Sequence, residues 1–532
     1  LFLLGNFFKL CYYKRVDLFT GERVDIRPQP KEGESYERYN WDAPILVSPH
    51  DPKQVYVASH RLFKSNNRGD SWSVISSDLT RNEERFNLPI MGKKQSYNSP
   101  YDVYAMSTYN TITSISESPV QQDLIYVGSD DGLVHVTEDG GESWNKIDVK
   151  SLPGAPERAY VNDIKADLFD ANTVYLALDN HKTGDYKPYL YVSSNRGKSW
   201  KSISSNLPEN NYIWRIVQDH KKSELFFLAT EFGLYTSIDA GKRWHQLKGG
   251  LPTISFRDLV IQKREDDLVA ASFGRSFYIL DDISFLRELN KDTLKKEAIL
   301  FGCRDADLFI QRRNGRAKNG SLGGDYYAGK NPEYGAVITY YVGQKYPTLQ
   351  GERKKEEKEL NKKNKDIDFP GWDVLEKERN ESKVVYWVVI KDSKGNVINR
   401  FKAPSSKGFH RVAWNLRAFS GLPIRKGADE NHYNSRGFLV NEGTFSATLA
   451  KTLEGEVEVI SGPISFKVNQ LYKSTLQPVA AEQRNEYYKD YLNVVGDRSE
   501  LNYRYNEIKK LSKSIKVSLI NTGGDVSQAF EK

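Results

Sequence analysis

The chain of 532 residues contains only two cysteines, Cys11 and Cys303. Two cysteines this far apart in sequence give neither a disulfide framework nor a cysteine-based metal motif, and we interpret them as isolated thiols. A shortage of cysteine is compatible with oxidising and with reducing compartments, so it leaves the location of the protein open.

Motifs for metal, nucleotide and nucleophile chemistry are also missing. Eight histidines are scattered along the chain, and none has a second ligand at the spacing that transition metals require. The sequence has no phosphate-binding loop, no dinucleotide fingerprint and no serine-centred nucleophile elbow. We therefore predict neither a metal nor a cofactor, and the sequence alone supports no catalytic constellation.

Charge of one sign is lacking as well. The 77 basic and 70 acidic residues leave a formal net charge of +7, which over this length is too weak a field to indicate a nucleic acid or an anionic membrane as partner. The hydrophobic runs are too short to span a bilayer, so we predict no transmembrane segment.

The chain does not begin with methionine, and its first methionine is Met91. Leu1–Leu4 is apolar but lacks the basic flank and the small-residue cleavage site of a signal peptide. We interpret it as a strand and expect further sequence before it. We expect missing N-terminal sheets of the same protein to be a partner of this chain. Without them, open strand edges should make the isolated chain aggregate or oligomerise.

Aromatic residues, in contrast, are frequent, with 32 Tyr, 24 Phe and 9 Trp. Many short strands, each carrying one or two rings into a thin core, would account for a polar chain that is so rich in aromatic residues. The length favours roughly two to four domains.

One eight-residue pattern, Ser/Thr-x-Asp/Asn-x-Gly-x-x-Trp, occurs four times. The Asp or Asn side chain can accept N–H groups of its own turn, the Gly permits a positive φ, and the Trp can pack into a stack of sheets. Because four copies are a strong signal, we assign these boxes a structural role. The key residues are Asn67, Gly69 and Trp72; Asp139, Gly141 and Trp144; Asn195, Gly197 and Trp200; and Asp239, Gly241 and Trp244.

Short strands flank every box. An apolar strand such as 124–128 or 225–229 precedes it, and a closing strand such as 144–147 follows. Four antiparallel strands per unit, repeated about every 45–70 residues, are typical of a β-propeller blade. We count about five blades between residues 40 and 285, of which the fifth has lost its box.

The boxes resemble those of the BNR/Asp-box propellers, a set that includes sialidases, xyloglucanases and sortilin-type receptors. The chain is more closely similar to bacterial sortilin-like repeat proteins, often labelled glycosyl hydrolases. This resemblance implies further blades on the N-terminal side and a secreted, periplasmic or cell-surface location. One departure is Ser276, where the family usually has Gly. The resemblance is carried by residues 25–30, 48–52, 230–235, 277–284 and 409–417.

The predicted fold is mostly β: a partial Asp-box β-propeller, then an immunoglobulin-like β-sandwich, then a helical hairpin. We assign residues 1–285 to the blades and 286–370 to a connecting segment, which includes a short helix at 291–300 and a charged helix at 351–365. Strand patterns place the sandwich at 371–470. Apolar residues at spacings of three and four predict a helical hairpin at 471–532, broken at Gly496.

Propeller geometry directs the search for chemistry to the rim opposite the boxes. Two weak alternatives remain for its acidic residues: paired carboxylates that cleave a glycosidic bond, or acids that only satisfy donors in tight turns. A sialidase would need three arginines around a carboxylate, and three arginines lie in suitable blades. The weak catalytic candidates are Asp130, Asp131, Asp163 and Glu231; the candidate binding residues are Arg215, Arg257, Arg275 and Phe232.

Three functions follow as hypotheses. The first is a ligand-binding or scaffold propeller that holds a peptide or polysaccharide at the channel rim, with help from the insertion at 81–109. The second is a secreted glycoside hydrolase that uses rim carboxylates. The third makes residues 370–532 an assembly module. The resemblance favours the first, because the hydrolase label rests largely on the repeat itself.

Overall fold

The structure is a computed structural model that describes residues 2–6, 12–90, 92–98, 108–311, 329, 331–420, 437–472, 475–477 and 479–522. Cys11 and part of the insertion at 81–109 lie outside these ranges. The chain divides into two compact units, Leu1–Arg287 and Glu288–Lys532.

Five successive antiparallel sheets make up most of the first unit, and we number them blades 1 to 5. Blades 1 to 4 have four strands in sequence order, which confirms the predicted propeller blades, and blade 5, the one without a box, has three. The strands are Ile45–Val47, Val55–Ala58, Leu62–Ser65 and Ser73–Val74 (blade 1); Ile112–Glu117, Ile125–Ser129, Leu133–Thr137 and Asn145–Asp148 (blade 2); Tyr160–Ala166, Val174–Asn180, Asp185–Ser193 and Lys201–Ser202 (blade 3); Ile213–Gln218, Phe226–Thr230, Gly233–Ser237 and His245–Gln246 (blade 4); and Phe256–Gln262, Asp267–Ser272 and Phe277–Leu280 (blade 5).

Two smaller sheets accompany the blades. Phe2–Asn6, Tyr12–Val16 and Arg23–Asp25 form a three-stranded sheet that we call the N-terminal sheet, so the apolar start of the chain is a strand as expected. Pro89–Ile90 pairs with Lys93–Lys94 in the insertion between blades 1 and 2.

All four boxes close their turns with the same hydrogen bonds. In the first, the Ser65 hydroxyl accepts the amide of Gly69 at 2.8 Å, and the side-chain Oδ1 of Asn67 accepts the amide of Ser71 at 2.9 Å. In the second, Thr137 and Asp139 do the same at 2.9 and 3.0 Å. The remaining two boxes repeat the pattern from Ser193, Asn195, Ser237 and Asp239.

Each box also docks on an isoleucine at or just beyond the closing strand of the preceding sheet. The indole N–H of Trp72 donates to the carbonyl of Ile26 at 2.7 Å, and Trp144 donates to Ile75 at 3.1 Å. Trp244 donates to Ile203 at 2.7 Å. The boxes of blades 1, 2 and 4 therefore hold equivalent positions on the sheets that precede them, as a radial repeat requires.

The second unit contains a two-sheet β-sandwich. One sheet has the strand order Ala298–Leu300, Ala336–Val342, Gly408–Trp414, and the two sheets enclose a shared core around Ile338, Tyr386, Trp414 and Phe445. The immunoglobulin-like class of this sandwich stays a prediction. The other sheet has the order Ala306–Leu308, Glu456–Gln470, Gly443–Leu453, Val385–Asp392, Val397–Ala403.

The segment expected to connect the two domains contributes strands to the sandwich. Residues 291–300 are not a helix, because Ala298–Leu300 is a strand paired with Tyr340–Val342. Its alanine and two aliphatic residues are buried in the sandwich, and such tertiary burial overrides a weak local helical preference. Further helices are Ser284–Glu288, Leu349–Lys362, which is the predicted charged helix, and Trp372–Asn380.

The expected helical hairpin is a single helix, Ala481–Ile520. The prediction of a turn at Gly496 is wrong, because one glycine costs a helix only about 1 kcal/mol, which a helix of 40 residues tolerates. Residues 523–532 lie outside the described part of the chain. The start of the helix packs on the sandwich, where the rings of Tyr488 and Phe438 stack at 4.1 Å.

Candidate functional site

Strand pairing separates the boxes from the predicted rim. In blade 2, Ile112 at the start of strand one pairs with Ser129 at the end of strand two. At the other end of the sheet, Ile125 pairs with Thr137, the first residue of the box. The turns between strands two and three therefore lie at one edge of each blade with the start of strand one, and the boxes lie at the opposite edge.

Two of the weak catalytic candidates, Asp130 and Asp131, are buried in the rim turn of blade 2. Thr111 donates to the Asp130 carboxylate from its amide at 2.9 Å and from its hydroxyl at 2.8 Å. Burial, with repulsion from Asp131, raises the pKa of Asp130 to about 7. Asp131 accepts the Arg81 amide at 2.6 Å and the Ser129 hydroxyl at 2.5 Å, and burial raises its pKa. Both acids thus satisfy turn and insertion donors.

Asp130 also lines a cavity of about 250 Å³ between blade 2, blade 3 and the insertion. The Lys182 ammonium lies 5.1 Å from the centre of the Tyr160 ring in this cavity. Burial lowers the pKa of Lys182, although Asp130 and Asp179 attract its charge. The Asp179 carboxylate accepts the backbone amide of His181 at 2.8 Å, and the His181 ring atom Nδ1 lies 2.5 Å from the same carboxylate.

Asp163 and Arg215 connect neighbouring first strands. The Asp163 carboxylate accepts the amide of Ile216 in the next blade at 3.0 Å. Arg215 donates to the carbonyl of Asn162 at 2.5 Å and lies 3.6 Å from Asp258. These two candidates therefore hold blades 3, 4 and 5 together, and their polar atoms are used in doing so.

Glu231 and Arg257 meet around Trp214 at the rim of blades 4 and 5. The Glu231 carboxylate accepts the Trp214 indole N–H at 3.0 Å and the Ser255 hydroxyl at 2.8 Å. The Arg257 guanidinium lies 3.6 Å from the centre of the Trp214 ring and 4.7 Å from that of Phe273. Its buried Nε has no hydrogen-bond partner in the described part of the chain.

The rings continue from Trp214 to blade 3. Tyr212 lies 5.1 Å from Trp214 and 6.3 Å from Tyr186, measured between ring centres. We call Tyr186, Tyr212, Trp214 and Phe273, with Arg257 between the last two, the aromatic ribbon. Its outer members Tyr186 and Phe273 are exposed. Of the remaining candidates, Phe232 is exposed on the rim turn of blade 4 and Arg275 on that of blade 5.

The comparison with protein families adds a match that agrees with this geometry. The model described as BNR-Asp box repeat matches residues 190–203. These residues run from strand three of blade 3 through the box to Ile203, which receives the next tryptophan. Residues 190–203 are thus similar to a BNR-Asp box repeat, and three further boxes close their turns in the same way.

The comparison with curated proteins gave no match to this repeat protein. Among solved structures, it is similar to an ancestral GH74 enzyme at 14% identity and a TM-score of 0.35, over 84% of this chain and 48% of that one. It is also similar to the extracellular domain of a putative hybrid two-component system from B. thetaiotaomicron, at 12% identity and a TM-score of 0.36, over 88% of this chain and 48% of that one. A third similar structure is the GH74 xyloglucanase from Xanthomonas campestris, at 11% identity and a TM-score of 0.32, over 44% of this chain and 34% of that one. The chain thus spans half or less of these proteins.

Sequence reasoning missed the central residues of the aromatic ribbon in this Asp-box protein. The first strands of blades 2 to 5 each contain a register shift, at Thr113, Asn162, Trp214 and Arg257. In blades 2 and 3 the shifted residue bonds the next blade, with Asn162 donating to the carbonyl of Ile213 at 2.8 Å. Bulges redirect side chains at functional edges. A large residue such as Trp214 or Arg257 near the start of strand one was therefore the sequence signal that could have identified the ribbon.

Within the described ranges, the Asp-box protein contains no group of three or more histidine, cysteine or acidic residues arranged to hold a metal ion. The same part of the chain has no helix that combines the length and the apolar character needed to cross a membrane.

Proposed function

We propose that this protein is a ligand-binding propeller that holds a peptide or a glycan on the aromatic ribbon. The observation that carries the proposal is the position of Arg257, whose guanidinium is held between the rings of Trp214 and Phe273. An exposed ring that covers a fixed cation offers a stacking surface with a charge directly behind it.

The ribbon is arranged as a rigid surface. The carboxylate of Glu231 fixes Trp214 from below, and the His181 ring stacks on Tyr212 at 5.0 Å with 14° between the planes. Anchors that are already ordered lose little side-chain entropy when a ligand binds. Tyr186, Phe232 and Phe273 are exposed on the rims of three successive blades, so an extended ligand that crosses the blades would contact all three.

The partners and the location belong to the same proposal. A ligand reached from outside the cell would agree with a secreted, periplasmic or cell-surface protein, and further blades of the same protein would extend the rim. Both stay predictions that the resemblance implies.

Binding can be tested with single ring deletions. Phe273→Ala and Phe232→Ala should each weaken binding about tenfold, since an anchoring aromatic residue contributes more than 1 kcal/mol. The measurement is retention of the whole chain on immobilised neutral and acidic polysaccharides and on a peptide array. Phe169→Ala is the matched control, because Phe169 is exposed in the turn between strands one and two of blade 3. Equal losses from all three substitutions, or from none, would refute the proposal.

Glycoside hydrolysis is the second candidate, and the pKa of Asp130 favours it. A carboxyl group that lines a cavity and has a pKa of about 7 suits a general acid at neutral pH. Release of reducing ends from the same polysaccharides, abolished by Asp130→Asn but not by Asp258→Asn, would select this candidate. Binding without such release would reject it.

A further inference from the structure

The cavity that Asp130 lines combines aromatic walls with a positive charge. Its lining residues belong to blades 2 and 3, to the loop between them and to the insertion, so we call it the blade 2–3 cavity. Tyr109 and Tyr160 are its aromatic walls, and Lys182 brings an ammonium group to it. The described lining residues include none from the N-terminal sheet or from blade 5, so the cavity is formed in the interior of the run of blades.

The Lys182 ammonium is the unmatched group of this cavity. It lies 5.1 Å from the centre of the Tyr160 ring, and within the described part of the chain it makes neither a hydrogen bond nor an ion pair. The lysine is partly buried, and an ammonium that is withdrawn from water without an acceptor costs free energy. A bound group that supplies an acceptor would remove this cost.

The acids of the cavity, in contrast, already have donors. The Asp130 carboxylate accepts an amide at 2.9 Å and a hydroxyl at 2.8 Å, and its pKa of about 7 leaves it partly uncharged at neutral pH. The Asp179 carboxylate accepts the amide of His181 at 2.8 Å, and Glu157 pairs with Arg158 at 3.2 Å. Because each acid is held by another group, the lysine charge remains open to a ligand.

A second cation lies at the same cavity. The Arg85 guanidinium, which the insertion supplies, is 4.9 Å from the centre of the Tyr109 ring. Cations in a confined site attract an anion. The cavity volume of about 250 Å³ is below the roughly 300–1,000 Å³ of pockets for drug-sized ligands. The cavity therefore has room for one small acidic unit and not for a length of polymer.

One turn of blade 3, His181–Thr183, connects this cavity with the aromatic ribbon. The His181 ring stacks on Tyr212 of the ribbon, whereas the next residue, Lys182, lines the cavity. Ribbon and cavity are therefore adjacent, and a polymer that lies on the ribbon can place its end unit in the cavity.

We propose that the blade 2–3 cavity binds the end unit of an acidic glycan, a uronic acid whose carboxylate accepts hydrogen bonds from Lys182 and whose hydroxyl groups donate to Asp179. For the remainder of the glycan, this inference rests on the function proposed above for the ribbon. Hydrogen bonds between an ammonium and a carboxylate are stronger than those between neutral groups, so the carboxylate should dominate the recognition.

The acceptors of the cavity favour a sugar over a peptide. A carboxylate offers about four acceptor sites, and His181 uses two of those of Asp179. A uronic acid brings a carboxylate for the lysine and hydroxyl groups for the remaining acceptor sites. The acidic side chain of a peptide brings the carboxylate alone, which would leave those sites unused.

Matched sugars test the cavity by itself. Galacturonate differs from galactose, and glucuronate from glucose, only in a carboxylate that replaces a hydroxymethyl group. In NMR titrations against the whole chain, at least one uronate should bind about tenfold more tightly than its neutral counterpart, as expected for a charge-assisted contact. Lys182→Gln should remove this difference. Lys187→Gln, which deletes an exposed charge of the same blade, should retain it, and circular dichroism checks that both variants are folded.

Retention on polygalacturonate separates the cavity from the ribbon. Phe273→Ala should weaken this retention and leave the binding of free galacturonate unchanged. Equal binding of acidic and neutral sugars, a uronate preference that survives Lys182→Gln, or binding of a triglutamate peptide in place of the uronates would overturn the inference for the cavity without touching the ribbon. A uronate preference that requires Lys182, with retention that no ring deletion changes, would support the cavity and reject the ribbon.

Discussion

Two features of the structure require glycine at the conserved position of each Asp box: the backbone conformation of the turn and the close approach of the neighbouring sheet. Only the first could be predicted from the sequence. All four have a positive φ, from +77° to +108°, which the turn motif predicts. The second requirement comes from the neighbouring sheet. A Cβ on Gly69, Gly141, Gly197 or Gly241 would lie 2.5 to 2.9 Å from the isoleucine on which the box docks.

Two alanine substitutions separate these requirements. Gly154→Ala should cost about 1 kcal/mol of unfolding free energy, because Gly154 has φ +72° and nothing within 4 Å of an added Cβ. Gly141→Ala should cost roughly 2–4 kcal/mol, because its Cβ would also lie 2.5 Å from the carbonyl oxygen of Ile75. Urea unfolding followed by circular dichroism measures both. Equal costs would mean that close approach of the sheets contributes nothing.

The candidate site shows the same limit at single residues. The turn sequence identified Asp130, Asp131 and Glu231 as rim residues, and the structure places them there. The groups that donate hydrogen bonds to these acids belong to residues 111, 81 and 214, which are distant from them in the sequence. Because bulges shift the register of strand one, the sequence did not show that Trp214 and Arg257 would meet at the rim.

At the scale of the element, the box and the closing strand form one repeating unit. An isoleucine follows Trp72, Trp144 and Trp200 by three residues, so the docking residue was present in the sequence. The hydrogen bonds of the indoles were not predictable, because one of them differs. The Trp200 indole N–H is buried without a hydrogen-bond partner in the described structure, whereas Trp244 donates to Ile203 at 2.7 Å.

This difference gives a matched pair of substitutions. Trp244→Phe removes the indole N–H that donates to the carbonyl of Ile203, whereas Trp200→Phe removes an indole N–H that has no acceptor in the described structure. Trp244 is buried whereas Trp200 is only partly buried, so the loss of stability in Trp244→Phe should exceed that in Trp200→Phe by at least about 1–3 kcal/mol, the cost of an unsatisfied buried acceptor. Thermal unfolding measured by circular dichroism gives the comparison. A larger loss in Trp200→Phe would contradict the assigned hydrogen bond.

At the scale of the molecule, periodic features were predictable and short strands were not. Four boxes identify blades 1 to 4 and their order, and the recurring strand pattern identifies the fifth. The sandwich strands Ala298–Leu300 and Ala306–Leu308 have three residues each, which is too short for an alternating pattern to be recognised. The first unit ends at Arg287, two residues beyond the end that we assigned to the blades, and this arginine binds two acids in the turns of blades 4 and 5.

Arg287 joins the end of the first unit to its last two blades. Its guanidinium donates to Asp219 at 2.7 Å and to Asp266 at 2.8 Å, and its side chain is largely buried. Burial alone would raise the pKa of Asp266, but hydrogen bonds from Arg287 and Lys221 lower it to about 2. The pKa of Asp219 is lowered in the same way, against its burial.

The sign of the pH dependence follows from these shifts. A carboxyl group with a lowered pKa in the folded protein stabilises it above the unfolded pKa of about 4, and this contribution is lost as the pH falls towards 2. Arg287→Gln should therefore cost roughly 3–5 kcal/mol at pH 7, as expected for a broken buried ion pair, and less at pH 3. Arg264→Gln, which breaks the exposed pair with Glu265 at 2.7 Å, should cost less than about 1 kcal/mol at either pH. Urea midpoints of the three proteins at pH 7 and pH 3 provide the measurement. A difference between Arg287→Gln and the unsubstituted protein that stays constant with pH would show that these carboxylates do not link the stability of the first unit to protons.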